Sequence, residues 1–109
     1  MDQGILWREA LIAFAAELRR EYGVRLRDVL LYGSRARGEA QDDADIDTLV
    51  VLDPLGDFWA EFSRIAPVAS RLSLEFGVVI SAIPVDAEKL RCPDTPLTIN
   101  AAREGVPVR

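Results

Sequence analysis

The sequence contains no histidine and only one cysteine, Cys92, among its 109 residues. Without histidine the chain lacks the commonest general base and the commonest transition-metal ligand, which excludes serine–histidine and cysteine–histidine catalysis. A lone cysteine cannot form an internal disulfide, as is typical of proteins in a reducing cytosol. No apolar run approaches the roughly 18 residues that would span a membrane, and the N-terminus lacks the basic-then-apolar pattern of a signal peptide. We therefore expect a cytoplasmic protein with no membrane partner.

The chain also has fewer basic than acidic residues. The chain has 13 Lys and Arg against 18 Asp and Glu, which gives a net charge of −5. Bulk nucleic acid is therefore not expected as a partner, because phosphate contacts need a basic surface, although local arginines could still hold one nucleotide. Hydrophobic content of 50% and charged content of 28% are ordinary for a globular protein. The length favours a single domain, residues 1–109, around one core.

Hydrophobic periodicity predicts two long helices and two short helical segments. Apolar residues recur at helical spacing over 5–22. A second stripe begins after Asp57, which is placed to cap it, and runs to residue 76. Pro67 interrupts this stripe, so either the helix kinks there or a second helix begins. Short helical segments are predicted at 86–90 and 97–104.

Three apolar segments predict strands, at 27–32, 45–52 and 78–85. The second is apolar on both faces towards its end, which suits a central strand covered on both sides. Pro84 places the third at an edge of the sheet or at its exit. Trp59 lies off the helical stripe, and we interpret it as packed against a neighbouring element, with a flat partner contact as the alternative.

The most informative residues surround the first two strands. Gly33 and Ser34 stop the first strand in a tight turn, where Ser34 can cap the following helix and Gly33 lets the backbone approach a ligand closely. Free N–H groups at a helix start favour an anion such as phosphate. Asp45 and Asp47 begin the second strand on one shared face, about 7 Å apart at Cα. Since Mg²⁺ is normally held by carboxylates together with substrate phosphates, we expect the Gly33-Ser34 turn and the two aspartates to form one site.

The candidate residues differ in how specifically they indicate this site. Asp47 is the stronger candidate ligand, because an unpaired acid inside a strand is costly, whereas Asp45 could simply end a loop and cap a turn. Arg35 and Arg37 are two apart on a short helix and point in different directions. For each of them, phosphate contact and a surface role, including pairing with the acidic pair Asp42–Asp43, both stay open.

Gly33-Ser34, a spacer of ten residues and Asp45-x-Asp47, within the string GSRARGEAQDDADIDTLVVL, resemble the DNA polymerase β-like nucleotidyltransferase superfamily. The fuller string is similar to its one-domain MNT-type members, which are often paired with HEPN proteins. The resemblance covers roughly residues 5–84. It implies an α+β (α/β) fold with a small mixed sheet of about three to four strands flanked by helices.

The resemblance also implies an activity, in which AMP is transferred from ATP to a hydroxyl with Mg²⁺ as cofactor. Nucleotide contacts would come from Gly33, Ser34, Arg35 and Arg37, and metal ligands with catalytic roles from Asp45 and Asp47. The implied acceptor is a tyrosine of a HEPN-type toxin, with this chain as the antitoxin. A homo-oligomer and a hetero-oligomer are both compatible with this arrangement.

The third predicted strand departs from the superfamily pattern. Active members usually place a third carboxylate there, but the corresponding positions here are Val79 and Ser81. Losing one ligand should weaken the second metal of a two-metal site most. An MNT-like antitoxin that neutralises its partner by binding alone is therefore the alternative function. A small-molecule nucleotidyltransferase of the aminoglycoside-modifying kind is disfavoured, because the sequence offers no second domain to bind such a substrate.

Overall fold

The computed structural model describes residues 3–41 and 44–108. The helices are α1 (Gln3–Tyr22), α2 (Ser34–Arg37), α3 (Phe58–Phe76), α4 (Ala87–Arg91) and α5 (Pro96–Glu104). The strands are β1 (Leu26–Tyr32), β2 (Ile46–Leu52), β3 (Ile80–Asp86) and β4 (Val106–Pro107). A turn of 3₁₀ helix, Gly23–Arg25, joins α1 to β1. No helix of these described ranges is long and apolar enough to cross a membrane.

The four strands form one mixed sheet in the order β3-β2-β1-β4. β1 runs antiparallel to both β2 and β4, whereas β2 and β3 are parallel. The predicted mixed sheet is confirmed, with β3 at an edge as Pro84 indicated. β4 has no counterpart in the sequence prediction, because it is two residues long and exists as a strand only by pairing with Leu30 and Leu31.

Helices cover both faces of the sheet. On one face α1 and α3 enclose a core that includes Phe14, Leu18 and Ile65. On the other face a smaller cluster joins Leu49 of β2 to residues of α4 and α5. β2 contributes fully buried side chains to both clusters, which confirms it as the central strand.

Helix α3 decides one alternative that the sequence left open and corrects two predictions. It is one helix with Pro67 inside it rather than two helices. Asp57 occupies the N-cap position, but its side chain makes no capping hydrogen bond, so the predicted cap is wrong in that respect. Trp59 is 69% exposed, because its ring packs against Phe58 and Phe62 of the same helix instead of the core. The prediction that Trp59 is buried was wrong.

Candidate active site

The acids predicted from the sequence lie where β1 ends and β2 begins. Asp47 pairs with Tyr32 of β1 on one side and with Ser81 of β3 on the other. Paired residues of neighbouring strands project to the same face of a sheet, so these three side chains form a row on the face that also carries Leu49. Asp45 directly precedes β2 and is exposed. The structure therefore brings Asp45 and Asp47 together at one end of the sheet.

The turn after β1 lies directly against Asp47. Gly33 has φ +75° and ψ −155°, a combination that is essentially open only to glycine. A Cβ atom at this position would lie 2.7 Å from Oδ2 of Asp47. Gly33, rather than Ser34, is the N-cap of α2, and Ser34 is the first helical residue. The expectation that Ser34 caps the helix was wrong, because the turn requires a backbone conformation that serine rarely adopts.

Burial and charge together perturb the groups at this end of the sheet. The pKa of Asp47 is raised above its ordinary value, first by burial and then by the negative charge of Asp45. The pKa of the Tyr32 phenol is also raised, by burial and by the charge of Asp47. Two close carboxylates beside a turn that admits no side chain fit a hard divalent cation shared with substrate phosphates. Among residues 3–41 and 44–108, no cluster of three or more acidic or cysteine side chains could hold a metal.

Arg35 connects the turn to the acids. Its Nε and Nη2 atoms donate to the carbonyl oxygen of Ala44 at 3.2 and 2.7 Å. The guanidinium also lies over the ring of Trp7, 4.8 Å from the ring centre. Because Ala44 immediately precedes Asp45, these contacts fix α2 relative to the chain that presents the first carboxylate. The predicted contact of Arg35 with a nucleotide remains a prediction.

Arg37 points in another direction, as the spacing of the two arginines predicted. It forms ion pairs with Glu39 at 2.9 Å and with Glu104 of α5 at 3.1 Å. Arg37 thereby ties α2 to the C-terminal part of the fold. Pairing with Asp42–Asp43 concerns acids outside the described residues. The nucleotide contact predicted for Arg37 also remains a prediction.

β3 carries no third acid next to Asp45 and Asp47, since its one acid, Asp86, pairs with Leu52 at the other end of the strand. Ser81 pairs with Asp47, and the carbonyl oxygen of Val79 accepts the N–H of Ile46 at 2.7 Å. Both positions therefore border the acidic pair, as the sequence predicted, and neither supplies a carboxylate. Ser81 also accepts, through its carbonyl, a hydrogen bond from the Thr48 hydroxyl at 3.0 Å.

Sequence reasoning missed two contributors to the site. Tyr32 directly precedes Gly33, but its place beside Asp47 depends on strand register, which no local pattern specifies. Trp7 belongs to the apolar stripe of α1, but it is only partly buried and also lies under Arg35. The signal available for Tyr32 was its position as the last residue of the strand that ends at the Gly33-Ser34 turn.

Residues 11–104 match the nucleotidyltransferase domain family. The chain belongs to this family. It is 35% identical over 82 residues to a Methanocaldococcus jannaschii protein named a "putative protein adenylyltransferase", and the match covers 75% of each chain.

Two solved structures show the same fold. A toxin–antitoxin crystallised with AMP-PNP superposes with a TM-score of 0.62 at 20% identity, covering 94% of this chain and 72% of that one. The complex of a tri-AMPylated HEPN toxin of Shewanella oneidensis with its MNT antitoxin gives a TM-score of 0.56 at 18% identity, covering 98% and 71%. The predicted family and fold are confirmed, and the protein is a nucleotidyltransferase.

Proposed function

We propose that this nucleotidyltransferase transfers AMP from ATP to a tyrosine hydroxyl of a HEPN-type toxin, with Mg²⁺ as cofactor, and so acts as an antitoxin. The observation that carries the proposal is the closeness of the Gly33 turn to Asp47. A Cβ atom built at Gly33 would lie only 2.7 Å from a carboxylate oxygen of Asp47. A phosphate-binding turn and a carboxylate pair that adjoin one another can together bind one metal-bound triphosphate.

Two of the comparisons support the choice of acceptor. The curated relative is named for adenylyl transfer to protein. The S. oneidensis complex contains an AMPylated HEPN toxin bound to its MNT antitoxin. A protein acceptor also agrees with the exposed position of Asp45, which leaves the acidic pair open to a large partner.

The proposed reaction is a single displacement at phosphorus. The acceptor oxygen forms a bond to the α-phosphorus, the bond from that phosphorus to the bridging β-oxygen breaks, and pyrophosphate leaves. The hydroxyl proton passes to solvent, since neither Val79 nor Ser81 offers a carboxylate. The turn at Gly33 and Ser34 binds the leaving phosphates, and Asp45 and Asp47 hold Mg²⁺. The ion, when bound, neutralises charge that develops on the reacting phosphate.

The test is co-expression of this chain with a HEPN-type toxin, followed by the intact mass of the toxin. We expect the toxin to gain one or more AMP units and to lose its toxicity. Asp47→Asn should abolish the mass gain, because it removes one of the two metal-binding carboxylates. Asp94→Asn is the matched control, since Asp94 is an exposed acid paired with Lys89 away from the site, and it should leave the mass gain unchanged.

The second candidate function is an antitoxin that neutralises its toxin by binding alone. The absence of an acid at Val79 and Ser81 favours it, because a complete two-metal site needs more ligands than two carboxylates provide. A toxin that is inhibited without gaining mass would contradict AMP transfer and support this candidate. If no HEPN-type gene lies next to the gene for this protein, the support for both candidate functions is weaker.

A further inference from the structure

A groove runs along the open edge of the sheet, between α3 and β3. It has a volume of about 620 Å³. Most of its α3 wall is apolar or small, and includes Phe62, Ala66, Ala69 and Leu74. Residues 78–83 form the opposite wall. We call this feature the α3/β3 groove.

Large apolar side chains stand exposed along the groove. Leu74 is 87% exposed, Val79 is 53% exposed and Phe62 is 36% exposed. The apolar surface continues to Trp59, whose ring contacts that of Phe62 at 5.8 Å between centres. Exposed apolar residues grouped in this way are typical of protein interaction sites, whereas scattered ones are not.

The edge of β3 is unsuited to pairing with another strand. The Val79 carbonyl bonds to β2, so the alternate residues Ile80, Ala82 and Pro84 direct their backbone groups outward. The N–H of Ile80 donates to Oγ of Ser73 at 2.9 Å, and proline has no N–H to offer. Of residues 80–84, Ala82 is then the one outward position with an N–H for a further strand. This edge favours an occupant that binds through side chains, as a helix does.

The groove reaches Asp45, the first carboxylate of the site. Asp45 and Ser81 both line it, and Ser81 is the β3 neighbour of Asp47. The Gly33 turn follows β1, on the other side of β2 from the groove. In phosphoryl transfer the attacking and leaving oxygens are roughly in line. On the proposed function the leaving phosphates lie at the Gly33 turn, and an acceptor held in the groove would lie on the opposite side of β2 from them.

We propose that the α3/β3 groove binds an amphipathic helix of the protein acceptor and so brings the acceptor hydroxyl to the site at Asp45. This inference rests on the proposed function, because it takes the acceptor to be a protein. The small side chain of Ala66 allows the close approach of a helix, while Phe62 and Leu74 provide apolar contacts for its buried face. A partner helix with apolar residues at i, i+3 or i+4 and i+7 fits such a groove.

The first test separates docking from nucleotide binding. Leu74→Glu places a charge in the groove on a side chain that is already exposed, so the fold should be unaffected. Val24→Glu is the matched control, because Val24 is 95% exposed and lies in the 3₁₀ turn before β1, at the end of the sheet away from the site. Each variant is measured with a co-expressed HEPN-type toxin, by complex formation in size-exclusion chromatography and by AMP transfer, and alone by calorimetric titration of ATP with Mg²⁺.

We expect Leu74→Glu to weaken complex formation and AMP transfer about tenfold or more, as for an interface hot spot, while ATP binding is unchanged. Val24→Glu should match the native chain in all three measurements. The inference is overturned if Leu74→Glu forms the complex and transfers AMP as the native chain does. It is also overturned if Leu74→Glu and Val24→Glu lose complex formation and AMP transfer to the same extent. If the native chain forms a complex without transferring AMP, the proposed function fails, and complex formation by the two variants still decides where the partner docks.

A second test identifies the occupant. Leu74→Cys, combined with Cys92→Ser to remove the native thiol, is labelled with a benzophenone maleimide and irradiated in the presence of the toxin. The expected product is a crosslink to one apolar-faced helix of the toxin, and Val24→Cys in the same background should give none. A crosslink to an extended segment, or an equal yield from both positions, contradicts a helix in the groove.

Discussion

At the site, one glycine and one carboxylate lie close together. Gly33 holds φ +75°, and its missing Cβ leaves room for Oδ2 of Asp47. The sequence predicted both residues and their shared site from the turn and the spaced acids. It could not predict that they touch, because the contact depends on the pairing of β1 with β2, which puts Tyr32 beside Asp47. The ties of Arg35 to Ala44 and Trp7 depend on tertiary structure in the same way.

Alanine at Gly33 tests whether this contact builds the site. Gly38→Ala is a matched control, since Gly38 has φ +74° but nothing lies within 4 Å of the position that its Cβ would take. The left-handed backbone of Gly38 should cost its alanine variant about 1–2 kcal/mol of unfolding free energy, measured by urea denaturation, and the more restricted backbone of Gly33 should cost its variant more. Only Gly33→Ala should also lose binding of ATP with Mg²⁺, because its methyl group must displace the Asp47 carboxylate. Equal ATP binding by the two variants would contradict the role of the contact.

Among the elements, the helices were easier to predict than the strands. The stripe of α1 and the apolar positions of α3 follow directly from helical periodicity, and both helices bury most of those positions, although Phe62 of α3 is 36% exposed. Whether Pro67 divides α3 could not be decided from the sequence, because packing against the sheet and α1 can hold a helix together across a proline. β4 was missed because a strand of two residues has no periodicity, and its pairing with β1 defines it.

Asp86 and Asp57 both occupy the N-cap position of a helix, but only Asp86 makes a capping hydrogen bond. Asp86 caps α4 by accepting the N–H of Glu88 at 2.9 Å, and it also accepts the N–H of Leu55 at 3.0 Å. Asp57, at the N-cap position of α3, makes no such bond. Asp86→Ala should therefore lower the unfolding free energy by about 1 kcal/mol, and Asp57→Ala by much less. Urea denaturation of both variants at neutral pH measures the difference.

The stabilisation by Asp86 should depend on pH in a defined direction. The hydrogen bonds from Leu55 and then Glu88 favour the charged carboxylate, so the pKa of Asp86 is lowered from its ordinary 3.8. A lowered pKa in the folded state gives stability that is present above pH 3.8 and is lost as the pH falls through the folded value. The difference between the native chain and Asp86→Ala should shrink below pH 3.8. A difference that stays constant in acid would contradict this assignment.

At the scale of the whole molecule, the two ends of the sheet have different roles. At the end away from the site, Arg25 pairs with the buried Glu61 at 3.0 Å and donates to the carbonyls of Pro54 and Leu55. This network fixes the start of β1 to α3 and the loop before it. The opposite end presents the Gly33 turn, the acidic pair and the groove. Such a division, with a fixed scaffold and a site on connecting segments, is common in functional proteins.

The overall arrangement was predictable in part. A central strand apolar on both faces, and a proline in the third strand, were enough to place β2 inside the sheet and β3 at its edge. The α3/β3 groove could not be predicted, because Phe62 and Leu74 belong to the same helix whose apolar pattern defines its core face. Their exposure follows from where the sheet stops, and sequence periodicity does not contain that information.

The central claim is that Asp45 and Asp47 form a metal site for a nucleotide held against the Gly33 turn. Calorimetric titration of ATP into the native chain and into Asp47→Asn, with Mg²⁺ and with a chelator, tests it most directly. We predict binding by the native chain that requires Mg²⁺ and is weakened about tenfold or more by Asp47→Asn. Native binding that is unchanged by the chelator and by Asp47→Asn, or a folded native chain that binds no ATP, would contradict the account.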